Sequence, residues 1–146
     1  MEILFYRAKQ NRGWRLDKII AAWTHGPFSH VELRFSDGMC FSSSFRDKGV
    51  RFKNIDIKPE RWEILQLNIR DEQEQLLREW ASKHIGKKYD FLGIFGFVIG
   101  TRIQNKKKWY CSEVCAATLK SCMPVYGYIS HKVSPNKLAK LLGVEY

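Results

Sequence analysis

Proline is scarce in this chain, with four in 146 residues, and no apolar run is long enough to cross a bilayer. The longest, from Phe91 to Gly100, is about half of the ~20 residues a spanning helix needs. Few prolines, 14% aromatic and 45% hydrophobic residues together exclude a disordered chain, because enough apolar surface is present to offset the entropy of ordering it. The opening MEILFYRAKQ carries an acid at position 2 and has no basic start followed by a long apolar stretch, so no secretory signal is expected and the expected compartment is cytoplasmic. Internal repeats and linkers are missing as well. The length fits one domain over residues 1–146.

Acidic residues are in deficit. Lys and Arg number 25 against 15 Asp and Glu, a formal charge of +10. Such a balance favours anionic surroundings such as cell-wall polymer, anionic lipid or nucleic acid. The basic run Lys106, Lys107 and Lys108 is short for a nucleic-acid arm, and no helix-turn-helix, RRM or zinc-finger pattern accompanies it. Cysteine is sparse too: Cys40, Cys111, Cys115 and Cys122. Without a signal sequence they are read as thiols rather than disulfides. Cys111, Cys115, Cys122 and His131 would make four zinc ligands, but paired CxxC knuckles are absent and the last gap fits no common site, so neither metal nor cofactor is expected. Cys115 and Cys122 read as small buried apolar residues.

Hydropathy patterning then places the elements. Ile3 to Tyr6 reads as a first strand, and Arg15 to Trp23 as an amphipathic helix with Leu16, Ile19, Ile20 and Trp23 on one face. From Ser29 to Phe35, Val31, Leu33 and Phe35 alternate with His30, Glu32 and Arg34, which predicts a half-buried strand with the histidine on its polar side. The turn Ser36-Asp37-Gly38 returns the chain as Met39 to Phe45. Two further strands are expected at Val50 to Ile57 and Trp62 to Ile69. A helix follows, capped by Asp71 and running to about His84, where a cation is favoured. Cys111 to Lys120 and Lys137 to Leu142 read as helices, the second opened by Ser134-Pro135-Asn136. The stretch Phe91 to Ile99 is either a buried helix or an apolar wall for an acyl chain or hydrophobic side chain. The order of elements is that of an α+β domain.

Chemistry is most plausible at Cys111. It begins a predicted helix just after three lysines, and both the free N–H groups of a first turn and the lysine charge favour a thiolate, the nucleophilic form. His30 is the natural base. The turn sets His30 opposite Ser44, leaving Ser42 within reach on the same face, and Glu32 lies two residues along the strand from the histidine. Glu113, in the first turn, suits the helix dipole.

Three segments resemble the circularly permuted branch of the NlpC/P60 superfamily of papain-like cysteine hydrolases, in particular its small YiiX/YebB-like members. Ser29-His30-Val31-Glu32-Leu33 with Asp37-Gly38 is similar to the histidine strand and turn of that family. Gly86-Lys87-Lys88-Tyr89-Asp90-Phe91 is similar to its G-x-x-Y-D-F motif, and Trp109-Tyr110-Cys111-Ser112-Glu113-Val114 to its Y-C-S-E motif. Val133-Ser134-Pro135-Asn136-Lys137-Leu138 resembles an S/T-P-x-x-L element that often follows. The likeness spans Phe28 to Leu138 in the permuted order, histidine before cysteine. It implies a papain-like core, an antiparallel sheet of about four to six strands against the cysteine helix, with Cys111 as nucleophile, His30 as base and Tyr89 near the active site, where it could line the cleft or donate to an oxyanion.

One position departs from the pattern. The third polar residue of the family falls twelve positions after the histidine, where this chain has Ser42, a shorter and uncharged group that would orient the imidazole less firmly. The resemblance implies hydrolysis of an amide bond (peptide, isopeptide or peptidoglycan-like) or of an ester, with lipid acyl transfer an outlying activity. Two other readings compete with it: a catalytically silent binding module, and a basic binder of nucleic acid or a membrane surface.

Overall fold

The computed structural model describes residues 1–8, 26–89, 109–127, 129 and 133–146. Five strands form one antiparallel sheet: β1 (Glu2–Arg7), β2 (Phe28–Arg34), β3 (Cys40–Ser44), β4 (Gly49–Lys53) and β5 (Trp62–Gln66). Their order across the sheet is β4-β3-β2-β1-β5. The β2–β3 hairpin pairs Leu33 with Phe41 and Arg34 with Cys40, which is the register the Ser36–Gly38 turn predicts. Strand β1 pairs with both β2 and β5, so Tyr6 neighbours His30 on one side and Trp62 on the other.

Three helices complete the α+β fold among the described residues: α1 (Asp71–Ser82), α2 (Cys111–Cys122) and α3 (Pro135–Leu141). Helix α2 is interior. Every residue from Cys111 to Leu119 is buried, and the helix packs against β2, β3 and α1. A helix covered all round belongs to the core rather than to a surface stripe. Leu77 and Ala81 of α1, Leu138 of α3 and Ile3, Phe5 and Val31 of the sheet join it in one apolar cluster.

Two clamps fix the parts that matter for the site. Buried Asn136, in α3, accepts from the Phe28 backbone N–H and donates to the Phe28 carbonyl, both at 2.9 Å, tying the last helix to the first residue of β2. Gly26 lies against the same side chain: a Cβ there would stand 2.4 Å from Asn136 Oδ1. At the sheet edge, Val50 N–H donates to the Lys87 carbonyl (2.9 Å) and Gly86 N–H to the Val50 carbonyl (3.0 Å). A Cβ on Gly49 would meet the Lys87 oxygen at 2.2 Å, so this approach needs glycine.

Several element ends differ from the sequence reading. Strand β4 stops at Lys53, because β4 and β5 occupy opposite edges of the sheet and the chain between them must cross it, and β5 ends at Gln66 rather than Ile69. Asp71 is the first helical residue of α1 rather than its cap; the cap is Arg70, whose N–H is taken by Gln73 Oε1 at 3.0 Å. Helix α1 ends at Ser82, so His84 lies beyond it, stacked on Trp80 with ring centroids 3.6 Å apart. Burial lowers its pKa and Lys87 adds to this, the reverse of the stabilised cation expected at a helix end. The expected helix at Arg15 to Trp23, the stretch Phe91 to Ile99, the Lys106–Lys108 run and His131 lie outside the described residues.

Candidate active site

Cys111 is the first residue of α2, directly after the extended cap residue Tyr110. Its place is set from three sides. Ser43 Oγ in β3 donates to the Trp109 carbonyl (2.7 Å), Trp109 N–H donates to the Lys88 carbonyl (3.0 Å), and Ser112 Oγ donates to the Val133 carbonyl (2.6 Å). One turn on, the Cys115 thiol lies 3.8 Å from the carbonyls of both Val31 and Phe41 and seats the helix over the β2–β3 pair.

This arrangement sets Cys111 beside the His30 ring, near enough for the two side chains to act on each other electrostatically. The two residues are eighty-one positions apart in sequence and come from a helix start and a strand, as the motif pattern anticipates. His30 Nε2 is engaged by Glu32 Oε1 at 2.6 Å. Access is narrow: Cys111 keeps 4% of its surface and the His30 side chain 21%. Beside the histidine stands an aromatic row. The Trp62 ring lies 6.4 Å from that of His30, edge-on, and 5.1 Å from that of Tyr6.

The electrostatics follow from the contacts. Burial, the largest single influence, pushes the His30 pKa down, but the Cys111 thiolate and the Glu32 carboxylate together outweigh it and carry it up to about 10. Glu32 is itself fully buried, a position that raises a carboxyl pKa. Hydrogen bonds from Arg51 and His30 reverse that and hold it below the usual carboxylate range. Three thiols sit where the charged form is disfavoured. Burial pushes Cys40 up to about 11 and raises Cys115 and Cys122 as well, and the Glu32 charge adds to the rise at Cys40 and Cys115. All four cysteines are free, and Cys122 is half-buried rather than a core residue, its thiol 3.5 Å from the Leu76 carbonyl.

Ser42 does not hold the imidazole. Its hydroxyl donates to the Val31 carbonyl at 2.6 Å, and the partner on the His30 ring is Glu32. A two-atom serine side chain satisfies the nearest backbone acceptor, whereas the longer glutamate, on the same face of the same strand, reaches the ring. Tyr89 is tied by its main chain to Trp109 and by its ring to Phe45 at 6.3 Å, which puts it beside the segment leading into Cys111. Glu113 lies in the first turn of α2, as its charge predicts.

The residue missed by sequence reasoning is Arg51. Its two terminal nitrogens donate to Glu32, Nη1 to Oε2 at 2.7 Å and Nη2 to Oε1 at 2.6 Å. The signal was present in the strand pairing, because Arg51 is the cross-strand partner of Ser42, which in turn is within reach of the Glu32 position. The chain matches no protein-family model and no curated protein.

Proposed function

We propose that the protein is a thiol hydrolase of permuted papain-like fold that cleaves an amide or ester bond through an acyl-enzyme. The observation that carries this reading is the Cys111 thiol, at the first position of a buried helix, beside a histidine whose Nε2 is held by a buried carboxylate. In the first half-reaction His30 takes the Cys111 proton, and the thiolate attacks the carbonyl carbon. The charge that develops on the carbonyl oxygen is stabilised by the backbone N–H of Cys111 at the start of α2. His30 then protonates the leaving amine or alkoxide as the C–N or C–O bond breaks. In the second half a water gives its proton to His30 as it attacks the thioester, and the acid leaves as the proton returns to sulfur. Glu32 keeps the imidazole oriented and favours its cationic form. The acyl group is that of a peptide, isopeptide, peptidoglycan-like amide or ester.

A second reading is favoured by the 4% exposure of Cys111: a silent binding module that retains the thiol and histidine without turnover. One experiment separates the two. With an activated acyl ester such as p-nitrophenyl acetate, the hydrolase gives a burst of nitrophenol and a single acetyl group on Cys111 by mass spectrometry. Both are lost in Cys111→Ala and strongly slowed in His30→Ala. Equal slow acetylation of several thiols, indifferent to His30, would establish the silent module instead.

A further inference from the structure

We infer that Arg51 is a positioning residue for the His30–Cys111 pair, acting through Glu32, and that Asp47 holds Arg51 in place for that task. This inference rests on the hydrolase reading and extends it by two residues.

The geometry is a chain of paired charges running out from the thiol. Glu32 Oε1 receives two donors, His30 Nε2 and Arg51 Nη2, each at 2.6 Å, and Oε2 receives Arg51 Nη1 at 2.7 Å. The other edge of the guanidinium, Nε, donates to Asp47 Oδ2 at 2.8 Å, and Asp47 Oδ1 accepts from Lys53 Nζ at 2.7 Å. Burial pushes Asp47 upward, but Lys53 and Arg51 hold it down to about 2. Four residues from β2, the β3–β4 turn and β4 thus line up behind the imidazole, with the sign of charge alternating at each step outward from Glu32.

Three consequences follow. A carboxylate with no exposed side-chain surface is costly unless paired, and the two-pronged guanidinium supplies a planar match for both oxygens. The same two bonds fix the rotation of the carboxylate, so that Oε1 faces the ring, and the ring edge facing the thiol is fixed in turn. Because Arg51 already compensates Glu32, the carboxylate does not draw the proton off His30, which keeps it for the leaving group. Lysine could supply the charge but not the two-pronged grip. Among the described residues, the other charged or titratable groups facing this chain include Glu2 of β1, Arg34 of β2, Cys40 of β3, and Cys111 and Cys115 of α2.

The test is the pH dependence of Cys111 alkylation by iodoacetamide in the full chain, for Arg51→Met, Arg51→Lys and Asp47→Asn, each alone and combined with His30→Ala. Loss of the guanidinium lets the Glu32 carboxylate turn away from the imidazole, the His30 cation beside the sulfur is held less firmly, and the thiolate takes up its proton more readily. The acid limb of Arg51→Met is expected to move up by about one pH unit, which is about tenfold in rate below the limb. Arg51→Lys recovers part of the shift, Asp47→Asn gives a smaller one in the same direction, and in the His30→Ala background the Arg51 substitutions change nothing. Should Arg51→Met fail to fold, the lysine and Asp47 variants decide. Limbs that coincide with wild type in folded variants, or shifts that persist without His30, overturn the role of Arg51 and leave the hydrolase reading standing. A wild-type profile indifferent to His30→Ala overturns the hydrolase reading, and this inference with it.

Discussion

His30 Nε2 and Glu32 Oε1 meet at 2.6 Å from positions two apart on one strand. The alternation of a pleated strand puts both side chains on one face, so the base and the group that orients it are fixed relative to each other by backbone geometry alone. The sulfur is the only member of the trio whose position depends on how helix packs on sheet.

Removing the charge of Glu32 should therefore weaken the base without disturbing its surroundings in size. Glu32→Gln is expected to slow acylation of Cys111 at neutral pH by roughly tenfold or more, within the range general-base effects cover. Single-turnover kinetics with an activated ester measure it. An unchanged rate would mean that the carboxylate serves stability only.

Ser42→Ala should behave as the loss of one buried hydrogen bond, to the Val31 carbonyl, at about 1 kcal/mol. Urea denaturation reads this directly. A shifted pH profile with unaltered stability would return Ser42 to the orienting role its sequence position implied.

The raised pKa of His30 has a definite sign in stability. Unfolded, the ring loses its proton near 6.5; folded, it keeps it up to about 10. The folded protein thus binds the extra proton between these values, and the contribution of His30, full below pH 6.5, is lost as pH climbs through that window. Cys111→Ala removes the thiolate that does most to raise the ring, so its His30 midpoint, followed by NMR of the imidazole carbons, is expected to fall by more than one unit. A midpoint that stays near 10 in the variant would assign the rise to Glu32 instead.

Asn136→Ala strips both hydrogen bonds from the Phe28 backbone and leaves a buried N–H and carbonyl without partners. The expected loss is about 2–4 kcal/mol, measured by chemical denaturation. A change below about 0.5 kcal/mol, the size of an ordinary surface substitution, would mean that water replaces the side chain.

Much of this architecture is legible in the sequence because the signals are local. Period-two alternation marks β2, the Ser36–Gly38 turn sets the β2–β3 register, and the Ser-Pro pair opens α3, where Ser134 Oγ accepts from Lys137 N–H at 3.2 Å. The insertion of β1 between β2 and β5 is invisible in the same way, since strand order is settled by which faces must be covered and not by any one segment. The choice between Ser42 and Glu32 as partner of His30 turns on reach and on Arg51. A buried glutamate looks implausible in isolation and becomes acceptable only once a guanidinium from two strands away neutralises it.

The Asn136 clamp joins residues 108 positions apart. A chain emerging from the ribosome therefore exposes the histidine strand long before the side chain that anchors its first residue has been synthesised. Closing so large a loop comes late in folding, after local turns and helices have formed. Nascent protein would accordingly stay chemically quiet until the Asn136 segment has been made.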